Sequence, residues 1–548
     1  MSIPVLRLGR WPRLGLVLLT GLALGLSWEP YGWWPLAFLA PVGLTLLLAG
    51  QRLRAAFGLG YLFAVVMLAL SIGWIRVLGY PVAAGLILFM ALFYALLAVG
   101  ITLVGRLRGW PAWVAACWVL AEFVFSRQPF GGFGWTRLAY AVVDSPLSGW
   151  YPVVGMAGVT FAVVLSGHLL LWLVLLVRDG RATGWRLTRP AVFVAALVVA
   201  IQVLGLAGQR LDPVIGADAH GTVDVGVVQG NVPGRGLDPM GRMRSVTNNH
   251  LAETVNLETR ARLGLVPDPD FVLWPESSTD IDPAEDPITA RTIQSAADTA
   301  GVPVFVGAVT YGPGPDERQT TGLWWDPRVG GPTDHYHKQN LVPFGEWIPF
   351  REFLLPRIPM LQMVGAQGVP GTEPGVLDVD LMDGQSLRVG DVICFELAYD
   401  RTVHETMRHG AQVMVVQSNN ATYGGTGQIE QQFDITRARA METRREIAVS
   451  TTNSVSGSID RYGGVRHRTE EFTAASFVAS LPVRDGLTPA VLFGSWIDRG
   501  LALLGLGAIA YGVARRLRAR AAVDVVAIGD DGSGDDGSQI RSKEETPA

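Results

Sequence analysis

The chain has 548 residues, of which 49% are hydrophobic and only 17% charged, with a mean hydropathy of +0.30. That composition excludes a disordered chain, a collagen-like one and an ordinary soluble enzyme, and fits a membrane protein with a sizeable water-soluble part. The net charge of −4 gives no case for nucleic-acid binding, and two cysteines, Cys117 and Cys394, are too few for a disulfide framework.

A membrane-spanning helix needs about 20 apolar residues. Runs at 12–27, 33–50, 56–78, 81–104, 110–126, 153–177 and 191–209 predict seven membrane helices within 1–210, and a run at 491–513 predicts an eighth within 490–514. The first run is not read as a signal peptide, because no small-x-small cleavage site follows and more spans come directly after it. Residues 28–35 (WEPYGWWP) predict a tight aromatic turn at an interface. Arginines cluster in every second connection: Arg7, Arg10 and Arg13; Arg52 and Arg54; Arg106 and Arg108; Arg178, Arg181, Arg186 and Arg189; and Arg515, Arg516, Arg518 and Arg520. By the positive-inside rule these lie in the cytoplasm, which puts both termini inside and residues 210–490 outside the cell membrane.

Ionisable residues in this half carry two readings. Glu122, Arg76 and His168 either snorkel or are hydrogen-bonded to neighbours, or they line a polar opening toward the outer domain. The aromatic segment 128–150, with Phe130, Phe133 and Trp135, reads either as an interfacial anchor or as part of a lipid-binding mouth. The Asp/Gly/Ser-rich tail over 522–548 is expected to be disordered.

Residues 220–485 change character. Strand-length runs at 223–229, 271–274, 303–309, 388–394, 412–417 and 447–452 alternate with helical patterns near 239–261, 287–300, 397–408 and 427–445. Such alternation predicts one large α/β domain. Three of its strand ends carry chemistry. In FVLWPESS, Glu276 follows an apolar strand. In DHYHKQNLVPFGEWIPF, Tyr336 and Lys338 share a strand face, and Pro343 and Gly345 force a loop before Glu346. In GDVICFE, Cys394 ends a strand just before a helix, where a nucleophile is exposed near backbone N–H donors.

Each of these alone reads equally as a loop carboxylate, a solvated lysine or a small buried thiol. Together they differ. Only Lys338 and Lys543 are lysine among 44 basic residues, so arginine is the default cation. An unpaired thiol in an oxidising compartment needs a reason, and Cys117 lies in a membrane span out of reach. A carboxylate, an ammonium and a thiol supply what acyl transfer needs: a base, a positive charge and a nucleophile. His335 and His337 form an H-x-H pair without a third ligand at recognisable spacing, so they read as structural or surface histidines. Asn231, Asn419, Asn420 and Asn453 end strands in polar loops, either as loop caps or as lining of the same pocket.

These residues resemble the nitrilase superfamily, which implies a Glu–Lys–Cys triad in an αββα sandwich. With membrane spans on both sides, the motifs VQGN, WPES, YHKQNLVPFGEWIP, ICFE and SNN…RARAMETRR run in the order of the apolipoprotein N-acyltransferase family, and the resemblance covers nearly the whole chain apart from the tail. It implies Glu276 as general base, Lys338 as oxyanion-stabilising cation and Cys394 as nucleophile, with Glu346 and Glu396 in support. Phe395 stands where many members have Tyr, no Trp follows VQGN closely, and Tyr423 occupies a loop where a Trp-Phe pair is common. These departures, with Asn231 and Asn419, bear on substrate binding. The resemblance implies a phospholipid acyl donor, a diacylated apolipoprotein acceptor, a thioester intermediate, no cofactor or metal, and activity as a monomer in the bacterial cytoplasmic membrane. The apolar segment 353–365 is expected to dip into the bilayer or, alternatively, to pack on the domain core. A membrane-tethered amidase and a catalytically silent scaffold are the alternative functions.

Overall fold

The computed structural model describes residues 3–182, 188–212, 218–232, 234 and 244–530. Each of the eight apolar runs forms a helix: α1 (Arg10–Gly25), α2 (Pro35–Leu48), α3 (Leu53–Ser71), α4 (Tyr80–Val104), α5 (Trp110–Phe125), α6 (Tyr151–Ala182), α7 (Arg189–Gly208) and a last helix, Pro489–Asp530. Proline in the first turn starts α2, α4, α5 and α7, where its missing N–H has no intrahelical partner to lose.

Among the described residues, five of these segments are long and apolar enough to cross a membrane: Leu53–Ser71, Tyr80–Val104, Pro146–Asp179, Arg189–Gly208 and Pro489–Ala519. The other three have 16, 14 and 16 residues, shorter than about 20 residues. The third run does not continue to residue 78. Helix α3 stops at Ser71, and a 3₁₀ segment, Gly73–Leu78, turns Trp74 into the interior. The last helix continues past 514 through the start of the segment expected to be disordered, because residues 514–522 (ARRLRARAA) are strong helix formers. The rest of the expected tail, from 531, lies outside the described residues.

The region after α7 alternates strands and helices. Its strands are β1 (Gly221–Gln229), β2 (Phe271–Leu273), β3 (Val304–Tyr311), β4 (Glu317–Asp326), β5 (Gly331–His337), β6 (Gln367–Gly368), β7 (Val376–Asp380), β8 (Ser386–Ile393), β9 (Val413–Ser418), β10 (Ile447–Thr451), β11 (Gly457–Ile459), β12 (Val465–Arg468) and β13 (Ala475–Val483). They form two sheets. One runs β13-β1-β2-β3-β4-β5 with β6 on β4, and the other runs β12-β11-β10-β9-β8-β7. In each sheet the three central strands are parallel, β1–β2–β3 and β8–β9–β10, and the outer pairings are antiparallel except that of β6 with β4, which is parallel.

The sheets face each other across a shared apolar core that includes Val225, Leu273, Phe305, Val389, Val415 and Ala448. Helices α8 (Ser245–Arg262) and α9 (Pro287–Ala300) cover the outer face of the first sheet through Leu257, Ile293 and Ala297. Residues 239–243, where α8 was expected to begin, lie outside the described residues. After the four-residue turn α10 (Arg351–Leu354), α11 (Asp400–Arg408) and α12 (Gly427–Thr443) cover the second sheet. Their apolar residues, such as Met407, Ile429 and Phe433, belong to the same buried cluster as Leu68, Trp118 and Val159 of the membrane half. One helix layer of the α/β part is therefore seated on the apolar helices. The last helix is α13.

Polar groups hold this seam. Gln431 on α12 is buried, and its side chain makes four hydrogen bonds to the membrane half. Oε1 accepts from Trp74 Nε1 (3.0 Å) and Trp135 Nε1 (2.9 Å), and Nε2 donates to the Glu29 and Ser71 carbonyls (2.7 Å each). That uses both donors and both acceptor sites of the amide. Arg439, fully buried, binds Asp400 (2.8 Å), Glu442 and the Tyr140 hydroxyl (3.1 Å), and Asp400 also binds Arg137 (2.7 Å).

These contacts decide the readings of the membrane half. Glu122 is buried and accepts from Leu138 N and Thr160 Oγ1, both at 2.8 Å, so it is hydrogen-bonded rather than lining an opening. His168 is buried between Thr45 Oγ1 (2.9 Å) and the Val164 carbonyl (2.7 Å), and Arg76 is exposed and bonded to the Gly73 carbonyl (3.1 Å). The 128–150 segment forms short 3₁₀ turns whose Trp135 and Tyr140 are buried in the seam. Replacing Gln431 by leucine strands two indole N–H groups and two carbonyls. We expect a loss of about 3 kcal/mol or more, measured as a lower thermal midpoint of the detergent-solubilised protein; an unchanged midpoint would show that the seam does not depend on this amide.

Candidate active site

The carboxyl ends of the central parallel strands point to one edge of the two-sheet core, the place where open α/β sheets bind ligands. The sheets are tied together there. Gln417 at the end of β9 donates to the Trp274 carbonyl (2.7 Å), Ser450 donates to the Val228 carbonyl (2.7 Å), and Thr451 donates to Gln229 Oε1 (3.0 Å).

Glu276 lies three residues beyond β2, in a turn with Ser277 at φ 54°. The turn packs so closely on β3 that a Cβ at Gly307 would lie 2.3 Å from the Pro275 carbonyl oxygen, so only glycine fits there. Lys338 follows β5, and its N–H still pairs with the Thr320 carbonyl (2.9 Å). Its side chain is 1% exposed, and Nζ donates to Glu276 Oε1 (2.7 Å) and Glu346 Oε1 (2.9 Å). Glu276 Oε2 accepts from the Asn419 N–H (2.8 Å), and Glu346 accepts from Val342 N (2.7 Å) and Thr320 Oγ1 (3.3 Å).

Cys394 directly follows β8 and opens a 3₁₀ turn, Cys394–Ala398, with φ 52°. Its Sγ lies 3.7 Å from Asn420 Oδ1 and 4.0 Å from Gln432 Oε1. The left-handed conformation is sterically costly for a residue with a side chain. Glu396 braces it from below. This buried carboxylate accepts from Ile393 N (2.9 Å), Gln339 N (2.7 Å), Asn340 N (3.1 Å) and the Tyr336 hydroxyl (2.9 Å). It thereby joins the turn that carries Cys394 to the strand end that carries Lys338.

The electrostatics follow from burial and from one cation among two acids. Burial opposes the charge of Lys338, but Glu276 and Glu346 outweigh it and hold its pKa well above the ordinary value. Burial raises the Glu276 carboxyl, and Lys338 holds back part of that rise. Burial, reinforced by the negative field of Glu276, pushes the Cys394 thiol up to about 12. The resting sulfur is therefore a thiol beside a carboxylate of raised basicity.

The remaining expected residues are placed as follows. Asn419 reaches Glu276 through its backbone, while its Oδ1 accepts from Ala421 N (3.2 Å) and Thr452 Oγ1 (3.1 Å). Asn231 bonds none of Glu276, Lys338 and Cys394: Nδ2 donates to the Phe472 carbonyl (3.0 Å) and Oδ1 caps Val232 N (2.8 Å). Phe395 stacks on Phe133 and Trp135, each at 6.0 Å, and Tyr423 meets Trp74 edge-on at 5.1 Å, so both face the membrane half. His337 bonds Thr321 Oγ1 (2.9 Å), and its ring lies 4.7 Å from that of His335. Ser418, Gln428 and Gln432 were not singled out from sequence. Gln428 donates to Gln432 (2.9 Å), Gln432 to Ser418 (2.6 Å) and Ser418 to Asn420 (2.8 Å), fixing the amides beside the sulfur.

Residues 20–169 match the model of the apolipoprotein N-acyltransferase N-terminal domain, and residues 258–469 match that of the carbon-nitrogen hydrolase domain. The apolipoprotein N-acyltransferase of Mycolicibacterium smegmatis is 33% identical over 526 residues, covering 92% of this chain and 87% of that one. The chain belongs to the apolipoprotein N-acyltransferase family. The namesake enzyme of Azotobacter vinelandii is 27% identical over 93% of this chain and 97% of its own, and that of Vibrio parahaemolyticus is 26% identical over 87% and 92%. A solved amidase from a Nesterenkonia species is similar at 17% identity and a TM-score of 0.33, over 50% of this chain and 93% of that one. This acyltransferase thus couples a carbon-nitrogen hydrolase domain to a family-specific set of apolar helices.

The field of Glu276 can be read directly. Glu276→Gln removes a negative charge that disfavours the thiolate, so the midpoint of Cys394 alkylation by iodoacetamide should move down. A pH–rate profile whose midpoint stays or rises would contradict this electrostatic account.

Proposed function

We propose that the enzyme transfers an acyl chain from a membrane phospholipid to the α-amine of a lipoprotein's N-terminal diacylglyceryl-cysteine, in two steps through Cys394. The observation that carries this reading is the Lys338 ammonium shared by two carboxylates beside a strand-end thiol.

In the first step Glu276 takes the thiol proton and Sγ attacks the ester carbonyl. Lys338 has three N–H donors and two are engaged, so the third, with a backbone N–H, is available to the oxyanion. The ester C–O bond then breaks. Glu276 returns the proton to the departing oxygen, and lysophospholipid leaves a thioester on Cys394. In the second step the free α-amine attacks the thioester, Glu276 receives its proton, and the sulfur departs and is reprotonated. Glu346 holds Lys338 when Glu276 is protonated, and Glu396 positions the turn. Phe395 and Tyr423 form the wall toward the membrane half. All these residues lie on one chain, which supports activity as a monomer.

In this reading residues 1–210 and 490–514 anchor the chain in the bacterial cytoplasmic membrane with both termini inside, and 220–485 act on the outer face. The arginine-rich connections support that orientation. Both substrates are lipid-anchored, so the site must open at the bilayer surface. The segment after Lys338 favours such an opening. Phe350, Phe353 and Met363 are 72%, 58% and 60% exposed, and Phe130 of the membrane half packs 5.9 Å from Phe350. Only Leu361 of the 353–365 stretch is buried, so this segment is a surface feature facing lipid rather than part of the domain core. Exposed apolar clusters of this kind mark membrane or partner contacts.

In a strain lacking its own acyltransferase, the wild-type chain should restore N-acylated lipoprotein and Cys394→Ala should not. Serine at Leu354, Leu355 and Met360 should lower turnover while leaving the folded α/β part intact by protease resistance. Rescue by Cys394→Ala would reduce the protein to a scaffold, and unchanged turnover in the serine variant would remove the segment from the mechanism.

A further inference from the structure

The opposite end of the bundle carries a groove. With a volume of about 760 Å³, it lies between the start of α5, the loop before it and α13. Helix α5 runs from Trp110 here to Phe125, next to Arg127, which pairs with Asp498 of α13. The roughly 17 residues from Asp498 to Arg515, at about 1.5 Å each, put the groove about 26 Å below that pair. That is close to the thickness of a bilayer core, so the groove opens at the far membrane interface from Cys394.

Its walls have the chemistry of a lipid headgroup site. Arg108 and Arg515 line it. Arg515 donates to the Arg106 carbonyl (3.2 Å), and none of these three arginines has a carboxylate partner among the described residues. Trp113, fixed by its indole bond to the Arg108 carbonyl (2.7 Å), and Tyr511 stand at the same level, as interfacial aromatics do. The floor is apolar and open for a structural reason. On α13 a Cβ at Gly505 would meet the Ala116 carbonyl oxygen at 2.5 Å, and one at Gly512 would meet the Leu103 carbonyl oxygen at 3.1 Å, so these glycines bring α13 against α5 and α4. Gly507, between them and inside the groove, has nothing within 4 Å of where its Cβ would stand. The packing glycines make the close contact, and Gly507 leaves a furrow.

We propose that this groove binds an anionic phospholipid, its phosphate on Arg108 and Arg515 and one acyl chain along Gly507. Uncompensated cationic side chains at the end of an apolar furrow complement a headgroup with net negative charge, whereas a zwitterionic headgroup brings its own cation. Basic clusters between helices at a membrane interface bind anionic lipids in this way. The lipid is separate from the acyl donor, because it sits at the other interface. The inference rests on the helices crossing a bilayer and not on the chemistry at Cys394.

The test is native mass spectrometry of the full-length protein with phosphatidylglycerol and phosphatidylethanolamine of identical chains. Wild type should retain about tenfold more phosphatidylglycerol. The pair Arg108→Gln and Arg515→Gln should abolish the preference, and Gly507→Leu should lower retention of both lipids with the charges in place. Retained acyl transfer reports that these variants are folded. Excess inorganic phosphate should leave the lipid bound; displacement would make this a free-phosphate site and overturn the proposal. Equal retention of the two lipids by wild type, a preference surviving loss of both arginines, or no retained lipid because the chain's own acidic residues after 530 occupy the arginines would each overturn it too.

Discussion

Burying the Lys338 ammonium costs several kcal/mol of lost hydration unless opposite charge and hydrogen bonds replace it. Glu276 at 2.7 Å and Glu346 at 2.9 Å supply that replacement, and much of the α/β part is arranged so that they can. One acid arrives from the turn after β2, the other from the loop after β5, and each has further N–H donors that fix its orientation. Two acids around one cation leave the pocket net negative. Burial keeps the neighbouring sulfur protonated, with the Glu276 charge adding to it, and burial makes the Glu276 carboxyl more basic than usual, with Lys338 holding back part of that rise. The thiol and the carboxyl are therefore both held toward their protonated forms by the same burial.

The second constraint is the membrane. The helix layer of the second sheet shares one apolar cluster with the bundle below it, so the turn that carries Cys394 and the apolar helices are parts of a single packed body. Phe395, next to the nucleophile, stacks on Phe133 and Trp135 of the membrane half. The Gln431 amide and the Arg439–Asp400–Arg137 chain carry polar bonds across the same seam.

Much of this was legible in the sequence where the signal is local. Glu276 and Cys394 come just after short apolar strands, and strands such as 223–229 and 412–417 are short apolar runs; Lys338 follows the largely polar β5 and stands out instead as a lysine where arginine is the default cation. The apolar helices announce themselves by length. What was not legible depends on partners far apart in the chain or on weak patterns. Gln431 looks like any helix glutamine, and its partners Trp74 and Trp135 lie 357 and 296 residues away. Strand β4 (ERQTTGLWWD) begins polar and β12 (VRHR) is wholly exposed, so neither has an apolar signature. Strand β13 contains Pro482, which argues against a central strand but suits the edge position it occupies. The span lengths were overestimated where an apolar run bends inward, as at Gly73–Leu78, because hydropathy does not distinguish lipid from protein interior.

The central claim is that the acyl chain rests covalently on Cys394 between two substrates. Intact-mass measurement after incubation with a phospholipid of one defined acyl chain tests it most directly. The account predicts one added acyl mass on Cys394 that persists in buffer and disappears when a diacylated lipopeptide is supplied. An adduct that decays equally fast without lipopeptide would make the protein a hydrolase, and no adduct on folded protein with several lipids would contradict the covalent mechanism.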